Sequence, residues 1–144
     1  MFSKACEYAI RAMIYILTET SNGSRVGIKD ISRNTETPEP FIAKVLQVLS
    51  RQGIVGSVKG PNGGFFLEPE ANSIPVIDIV KAIDGDNLFV NCGLGISKCS
   101  DKKPCPIHHE YKQIRDRVVA MLTENTLQQL ATGFVNGETF LIKR

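Results

Sequence analysis

The chain has 144 residues, of which 42% are hydrophobic, and its formal net charge is +2. This apolar content is sufficient for a folded core and excludes a disordered chain, and no apolar run approaches the roughly 20 residues that a membrane helix needs. The N-terminus has no features of a signal peptide, so we expect a cytoplasmic protein without a membrane partner. In that compartment the four cysteines are expected to be metal ligands or redox groups rather than disulfides.

Three helices are predicted in the first third of the chain. The first runs from Ser3, which can cap it, to about Glu19, because its apolar residues recur at helical spacing. The second covers Ile28 to Arg33 and is followed by a turn at 34–36. The third is expected to be capped by Thr37, with Pro38 at its first position and an end near Gly53. Its predicted buried face comprises Phe41, Ile42, Val45, Leu46 and Leu49.

A β-hairpin and a further helix are predicted next. The strand-like runs 54–58 and 65–67 flank a glycine-rich segment that contains Asn62-Gly63, a strong hairpin dipeptide. A short helix is expected from Ile74 to Ile83. Residues 84–105 form a predicted loop, and a loop of about 20 residues in a small domain is usually functional.

In the last third of the chain, the sequence predicts a long helix from Pro106 to about Glu124 and a short helix, 127–131, capped by Thr126. The apolar tail residues are expected to pack against the domain: Phe134, Phe140, Leu141 and Ile142. The long helix carries a heptad-like seam that predicts a homodimer. The candidate dimerisation residues are Ile107, Tyr111, Ile114, Val118 and Met121.

This order of elements predicts a mainly α fold, a winged helix-turn-helix with an appended long helix. We expect a DNA-binding domain at 1–83, a cysteine-bearing sensor loop at 84–105, and a dimerisation helix with its tail at 106–144. The third helix would enter the major groove, and the hairpin tip would contact the DNA backbone or minor groove. The alternative is a small helical subdomain that does not bind DNA. In that case Glu39, Gln47 and Arg51 would simply form a solvated polar face.

The cysteine spacing alone leaves the kind of site open. Six and five residues separate Cys92, Cys99 and Cys105, whereas structural zinc sites usually pair cysteines about two to four residues apart. Thiolates suit iron–sulfur clusters as well as zinc, and a reduced, metal-free loop is the third possibility. Cys6, on the first helix, is interpreted as a small apolar core residue.

The segment Val58-Lys59-Gly60-Pro61-Asn62-Gly63-Gly64-Phe65 resembles the wing of the Rrf-two family of bacterial regulators, which has IscR-, NsrR- and CymR-type branches. The Lys4–Ala12 stretch, the Ile31-Ser32 helix, the cysteine loop and the Asn125-Thr126-Leu127 step are also similar to that family, so the resemblance covers almost the whole chain. It implies a dimeric regulator that binds a pseudo-palindromic operator in double-stranded DNA. Together with the exposed helix face, it marks these candidate DNA-binding residues: Pro38, Glu39, Pro40, Phe41, Ala43, Lys44, Gln47, Lys59 and Asn62. Cluster-regulating members carry polar base-reading residues where this chain has Pro40 and Ala43, so its operator is expected to differ.

The resemblance implies an iron–sulfur cluster held by the three cysteines. The family commonly has five residues in both gaps, and the first gap here is one residue longer. His108 matches the position that supplies the fourth ligand in IscR-type members, which implies [2Fe–2S]. Glu7 matches the position where NsrR-type members supply a carboxylate from the partner subunit, which implies [4Fe–4S]. We favour His108, and His109 is expected to be solvated.

The leading interpretation is a transcriptional regulator gated by a cluster or a redox signal. The rival within that class is a cluster-free, CymR-like regulator that is controlled by a partner protein or small molecule. CymR-type members act without a cluster, and a cluster can also be lost to oxygen during purification. A small redox or metal protein without DNA binding is disfavoured by the wing. We find no nucleophile with a placed base, no phosphate-binding loop and no convergent acidic pair, so nothing in the sequence indicates an enzyme.

Overall fold

A computed structural model describes residues 1–142. Within that range it contains seven α-helices, one antiparallel pair of short strands and one 3₁₀ helix, which confirms the mainly helical, winged-helix fold. The helices are α1 (Lys4–Thr20), α2 (Ile28–Thr35), α3 (Glu39–Arg51), α4 (Val76–Asp84), α5 (Asn87–Val90), α6 (His108–Glu124) and α7 (Leu127–Val135). The strands are β1 (Gly56–Val58) and β2 (Gly64–Phe66), and the 3₁₀ helix is Pro69–Ser73.

Helix α1 lies at the centre of the molecule. Helices α2, α3, α4 and α7 and strand β2 all contact it, and Ala9, Ala12, Met13 and Ile16 on α1 are fully buried. As predicted, the Ser3 side chain caps this helix by accepting a hydrogen bond from the backbone N–H of Cys6, at 3.1 Å. A second, smaller apolar cluster joins Cys6 of α1 to α4 and α6.

The wing is fastened to the segment that precedes α2. Strands β1 and β2 pair with Gly56 opposite Phe66 and Val58 opposite Gly64, and Val26 exchanges two backbone hydrogen bonds with Phe65, at 2.8 and 3.0 Å. Gly64 has φ +150°, and a Cβ atom there would lie 2.9 Å from the Val26 carbonyl oxygen. A glycine is therefore needed where the wing crosses this segment.

Several predicted helix boundaries were wrong. Pro38, not Thr37, is the N-cap of α3, and the buried Thr37 hydroxyl instead donates to the Thr35 carbonyl oxygen at 3.2 Å. Helix α2 continues through the predicted turn to Thr35 and ends at Glu36, which has a left-handed backbone. Helix α4 starts after Pro75, later than expected, because the 3₁₀ helix precedes it. Helix α6 starts at His108, two residues after Pro106.

Burial of Phe41 was also predicted wrongly. The side chain is 51% exposed, while Ile42, Val45, Leu46 and Leu49 form the buried face of α3 as expected. Its ring lies beside that of Tyr8, with the centroids 5.8 Å apart. Leaving about half of a phenyl ring in water forgoes on the order of 1 kcal/mol of burial, so its exposure is consistent with a role at the surface.

The C-terminal part is more ordered than predicted. Helix α7 extends to Val135, and Phe134 and Leu141 pack on the main core, whereas Phe140 and Ile142 are exposed. The predicted Thr126 cap is present as a capping box. The Thr126 side chain accepts from the Gln129 backbone N–H at 3.3 Å, and the Gln129 side chain accepts from the Thr126 N–H at 2.8 Å.

Thr126→Ala should lower the free energy of unfolding by about 1 kcal/mol, because the Gln129 N–H loses its capping partner. We expect urea denaturation at fixed protein concentration to show this loss. Thr123→Ala is the matched control, since the Thr123 hydroxyl is exposed and only donates to Val119 within α6. A stability equal to that of the wild type would show that the box contributes nothing.

Candidate DNA-binding face and cysteine pocket

One side of α3 is fully open to solvent. Pro40, Ala43, Lys44, Gln47 and Arg51 follow one another at spacings of three, one, three and four, and all are exposed. Pro38 and Glu39, at the start of the helix, are exposed as well. These residues form a continuous stripe on the side of α3 that faces away from the core, which is the geometry of a groove-reading helix.

A cleft of about 620 Å³ separates this stripe from the wing. Its walls include Lys44, Gln47 and Arg51 from α3 and Ser57 from β1. Lys59 and Asn62 are exposed at the wing tip. The exposed stripe of α3 and strand β1 of the wing therefore line one open cleft.

Two arginines near this face were missed by the sequence analysis. Arg25 donates to the Asn62 carbonyl oxygen at 3.3 Å, and its guanidinium lies 5.9 Å from the centre of the Phe66 ring. Arg11 donates to the Thr35 carbonyl oxygen at 2.9 Å. Both lie outside the predicted recognition elements, and only the folded chain brings them to the wing and to the α2–α3 turn.

The three cysteines and His108 line a single pocket of about 190 Å³, at the start of α6. The predicted loop is partly ordered, because α5 precedes the pocket and a bridge pairs Asn91 with Lys98. The Cys92 N–H bonds the Ser97 carbonyl oxygen at 2.8 Å, and the Cys99 N–H bonds the Val90 carbonyl oxygen at 2.8 Å. The three cysteines and His108 are thereby gathered around one cavity.

His108 joins this loop to α6. Its side chain is only 2% exposed, its Nδ1 atom lies 3.1 Å from the Cys99 Sγ, and its Nε2 atom lies 2.8 Å from the Asp101 Oδ1. Lys112, one turn further along α6, donates to both Asp101 oxygens at 3.0 Å. The hydrogen bond to His108, and then the one from Lys112, hold the pKa of Asp101 below its usual value.

The thiols differ in acidity. The backbone N–H of Leu94, followed by the Cys105 thiol, lowers the pKa of Cys92 by hydrogen bonding to its sulfur. Partial burial and the neighbouring Cys92 raise the pKa of Cys105. Cys6 is fully buried outside this pocket, and burial raises its pKa to about 12. That environment suits the interpretation of Cys6 as an inert core residue.

Within residues 1–142, no three His, Cys, Asp or Glu side chains are placed so that they could hold a single metal ion. The pocket lining includes His108 but not Glu7, whose carboxylate is paired with Lys4 at 2.9 Å. His109 is exposed, as expected.

Helix α6 leaves most of its surface uncovered. Only His108 and Leu122 are buried among its 17 residues, and Ile107, Ile114 and Met121, seven residues apart, are 42%, 57% and 49% exposed. Tyr111 and Val118 are half-buried against their own chain. Val118 joins the second apolar cluster, and the Tyr111 ring is so close to Gly93 that a Cβ atom there would lie 2.8 Å away.

A helix-turn-helix followed by a β-hairpin, with an exposed polar and basic recognition face, defines a winged-helix DNA-binding protein. The model of the family described as "Rrf2: Iron-dependent Transcriptional regulator" matches residues 2–133. The chain therefore belongs to the Rrf2 family, as the sequence resemblance indicated, and it is a DNA-binding transcriptional regulator. No helix among the described residues is long and apolar enough to cross a membrane.

Two curated relatives support this assignment. An HTH-type transcriptional regulator of Aquifex aeolicus (strain VF5) is 32% identical over 132 residues, which cover 90% of each chain. The HTH-type transcriptional regulator IscR of Escherichia coli (strain K12 / DH10B) is 29% identical over 123 residues, which cover 85% of this chain and 75% of IscR.

Solved structures share the fold. CymR (YrzC), the global cysteine regulator of B. subtilis, superimposes with a TM-score of 0.74 and 22% identity, over 92% of this chain and 96% of CymR. T. potens IscR gives a TM-score of 0.72 and 20% identity, over 96% of this chain and 91% of that protein.

Lys44→Ala and Lys59→Ala should each weaken DNA binding and flatten its salt dependence. A lost phosphate contact reduces the slope of log K against log salt by about 0.9, and a dimer loses two such contacts. Filter binding or fluorescence anisotropy at several salt concentrations measures the slope. The matched control is Lys81→Ala, on the exposed side of α4, where the Lys81 ammonium lies 3.8 Å from Asp86. Wild-type slopes in both variants would show that Lys44 and Lys59 do not contact phosphates.

Proposed function

We propose that this regulator is a homodimer that senses through an iron–sulfur cluster ligated by Cys92, Cys99, Cys105 and His108. The observation that carries the proposal is the single pocket at the start of α6 that these four side chains line, with the Cys99 Sγ and the His108 Nδ1 in contact. Three thiols and one imidazole make a donor set of the kind that iron–sulfur proteins use. The family description, which specifies iron dependence, also supports iron over zinc.

The cluster type follows from the fourth ligand. Histidine ligands occur in [2Fe–2S] centres, where the ligands are divided between two irons and need not converge on one point. The pocket includes His108, so we favour [2Fe–2S]. A carboxylate from Glu7 of the partner subunit, with [4Fe–4S], is the alternative. When bound, the cluster would supply a redox-responsive group at the junction of the loop and α6.

Asp101 would be the residue that positions His108. A metal-bound histidine usually donates its other ring N–H to a carboxylate or carbonyl group, which fixes the tautomer and the ring orientation. The Asp101 carboxylate already lies 2.8 Å from the His108 Nε2, so Nδ1 is directed at Cys99. Lys112 in turn holds Asp101 to α6. The contacts of Lys112 with Asp101, of Asp101 with His108 and of His108 with Cys99 thus link α6 to the cysteine loop.

The dimer would form along α6. Ile107, Ile114 and Met121 make an exposed apolar row on a helix that its own chain covers only partly. Two such rows, related by a two-fold axis, would bury each other and place two wings for half-sites about one helical turn, roughly 34 Å, apart. A change in the loop could then alter the spacing of the two heads, provided that cluster binding differs between the two arrangements.

Anaerobic reconstitution with iron and sulfide should give a brown wild-type protein with visible absorption. Cys99→Ala should stay colourless, and His108→Ala should lose or alter the spectrum, because each removes a ligand from the pocket. His109→Ala is the matched control, since His109 is the adjacent but exposed histidine, and Glu7→Ala should also retain the wild-type spectrum. Circular dichroism of the unloaded proteins checks that each variant is folded.

Two outcomes would contradict this assignment. A spectrum lost in Glu7→Ala and kept in His108→Ala would move the site to the carboxylate-ligated, inter-subunit form. No iron uptake by the wild type would leave a cluster-free regulator of the CymR-like kind.

Ile114→Glu should convert the dimer into a monomer at micromolar concentration, because two carboxylates would be buried against each other across the two-fold axis. Light scattering measures the mass. Gln113→Glu introduces the same charge at an exposed neighbouring position and should remain dimeric. A dimeric Ile114→Glu protein would place the interface elsewhere.

A further inference from the structure

We propose that α3 reads a thymine in each half-site through an apolar contact between the Pro40 and Ala43 side chains and the thymine 5-methyl group. This inference rests on α3 being the groove-reading helix. It adds a base preference to the DNA-binding function, and it comes from two exposed side chains of this chain.

The first step concerns position. Pro40 and Ala43 occupy the N-terminal end of the exposed stripe on α3, ahead of Lys44 and Gln47. The opposite side of the helix is fixed in the core by Ile42 and Val45, so the helix cannot rotate to present other residues. Because the N-terminal part of a recognition helix contacts base edges, these two apolar residues are the ones placed against the bases.

The second step concerns chemistry. Neither side chain can donate or accept a hydrogen bond, and Pro40 has no backbone N–H. In the major groove the 5-methyl group of thymine is the one apolar feature that a base pair presents, and alanine is among the side chains that contact it. Cytosine carries only a hydrogen at C5, so it would leave this apolar contact unfilled, which disfavours cytosine.

The third step excludes the neighbouring residues as the source of this contact. The Phe41 ring leans towards α1, with its centroid 5.8 Å from that of Tyr8, and so lies beside the stripe rather than on it. Glu39 is the only acidic residue in the first turn of α3, and a carboxylate would select cytosine rather than thymine. Gln47 can bond adenine in a bidentate manner, which makes an adjacent A·T pair compatible with the stripe.

The test starts from a random pool of duplex DNA. The full-length dimer is used to select its preferred duplex, and each thymine is then replaced singly by deoxyuracil, which removes only the 5-methyl group. At one thymine per half-site the substitution should weaken binding about fourfold, as expected for one buried methyl group. Thymines outside the half-sites serve as controls and should show no change.

Ala43→Gly links the effect to the residue. In this variant the ratio of thymine to deoxyuracil affinity at that position should fall clearly below about four, because only the Pro40 part of the contact remains. Any general loss of helix stability cancels because the ratio is taken within one protein. Ala5→Gly makes the same change at an exposed position on α1 and should keep the fourfold ratio.

The outcomes separate this inference from the DNA-binding function. Tight binding with equal affinity for thymine and deoxyuracil at every position would overturn the methyl contact and leave DNA binding intact. A thymine preference that is undiminished in Ala43→Gly would assign the contact to another residue and overturn the role of Ala43. Selection of no duplex at all would overturn the assignment of α3 as the reading helix together with the inference.

Discussion

Burial of α1 is the constraint on which the rest of this structure depends. A surface helix buries one stripe, but nine of the 17 residues of α1 are buried, because helices pack on it from several sides. The helices of the DNA-binding head, α2 and α3, pack on it together with α4 and the C-terminal α7. The groove-reading helix therefore has little freedom of its own, and we expect the winged head to move as one body.

We expect the segment between α4 and α6 to be the adjustable part of the molecule. It contributes few side chains to either apolar cluster, and its backbone is held by the Asn91–Lys98 bridge and a small number of turn hydrogen bonds. It is attached to α6 at His108, which is buried and contacts Cys99 and Asp101. Few buried contacts mean a low free energy of local opening, so a metal held by this segment would add order where the fold supplies least.

The sequence predicted the helices and the wing because their signals are local. Helical spacing, the caps at Ser3 and Thr126, and the glycine-rich turn all act within a few residues. The prediction failed where long-range contacts decide. Phe41 has the spacing of a core residue, yet it lies at the edge of α3 beside Tyr8 and remains exposed. The family resemblance implied His108 as a ligand, but only the fold adds Asp101 as its partner and brings Arg25 to the wing.

The most direct test of this account is amide hydrogen exchange by mass spectrometry on the dimer, with and without anaerobic iron–sulfur loading. The account predicts slow exchange in α1 and α3 in both samples. It predicts fast exchange in residues 91–107 of the unloaded protein and strong protection of the same residues after loading. Equal exchange of residues 91–107 in two samples whose iron content differs would contradict it, and so would exchange in α1 as fast as in that segment.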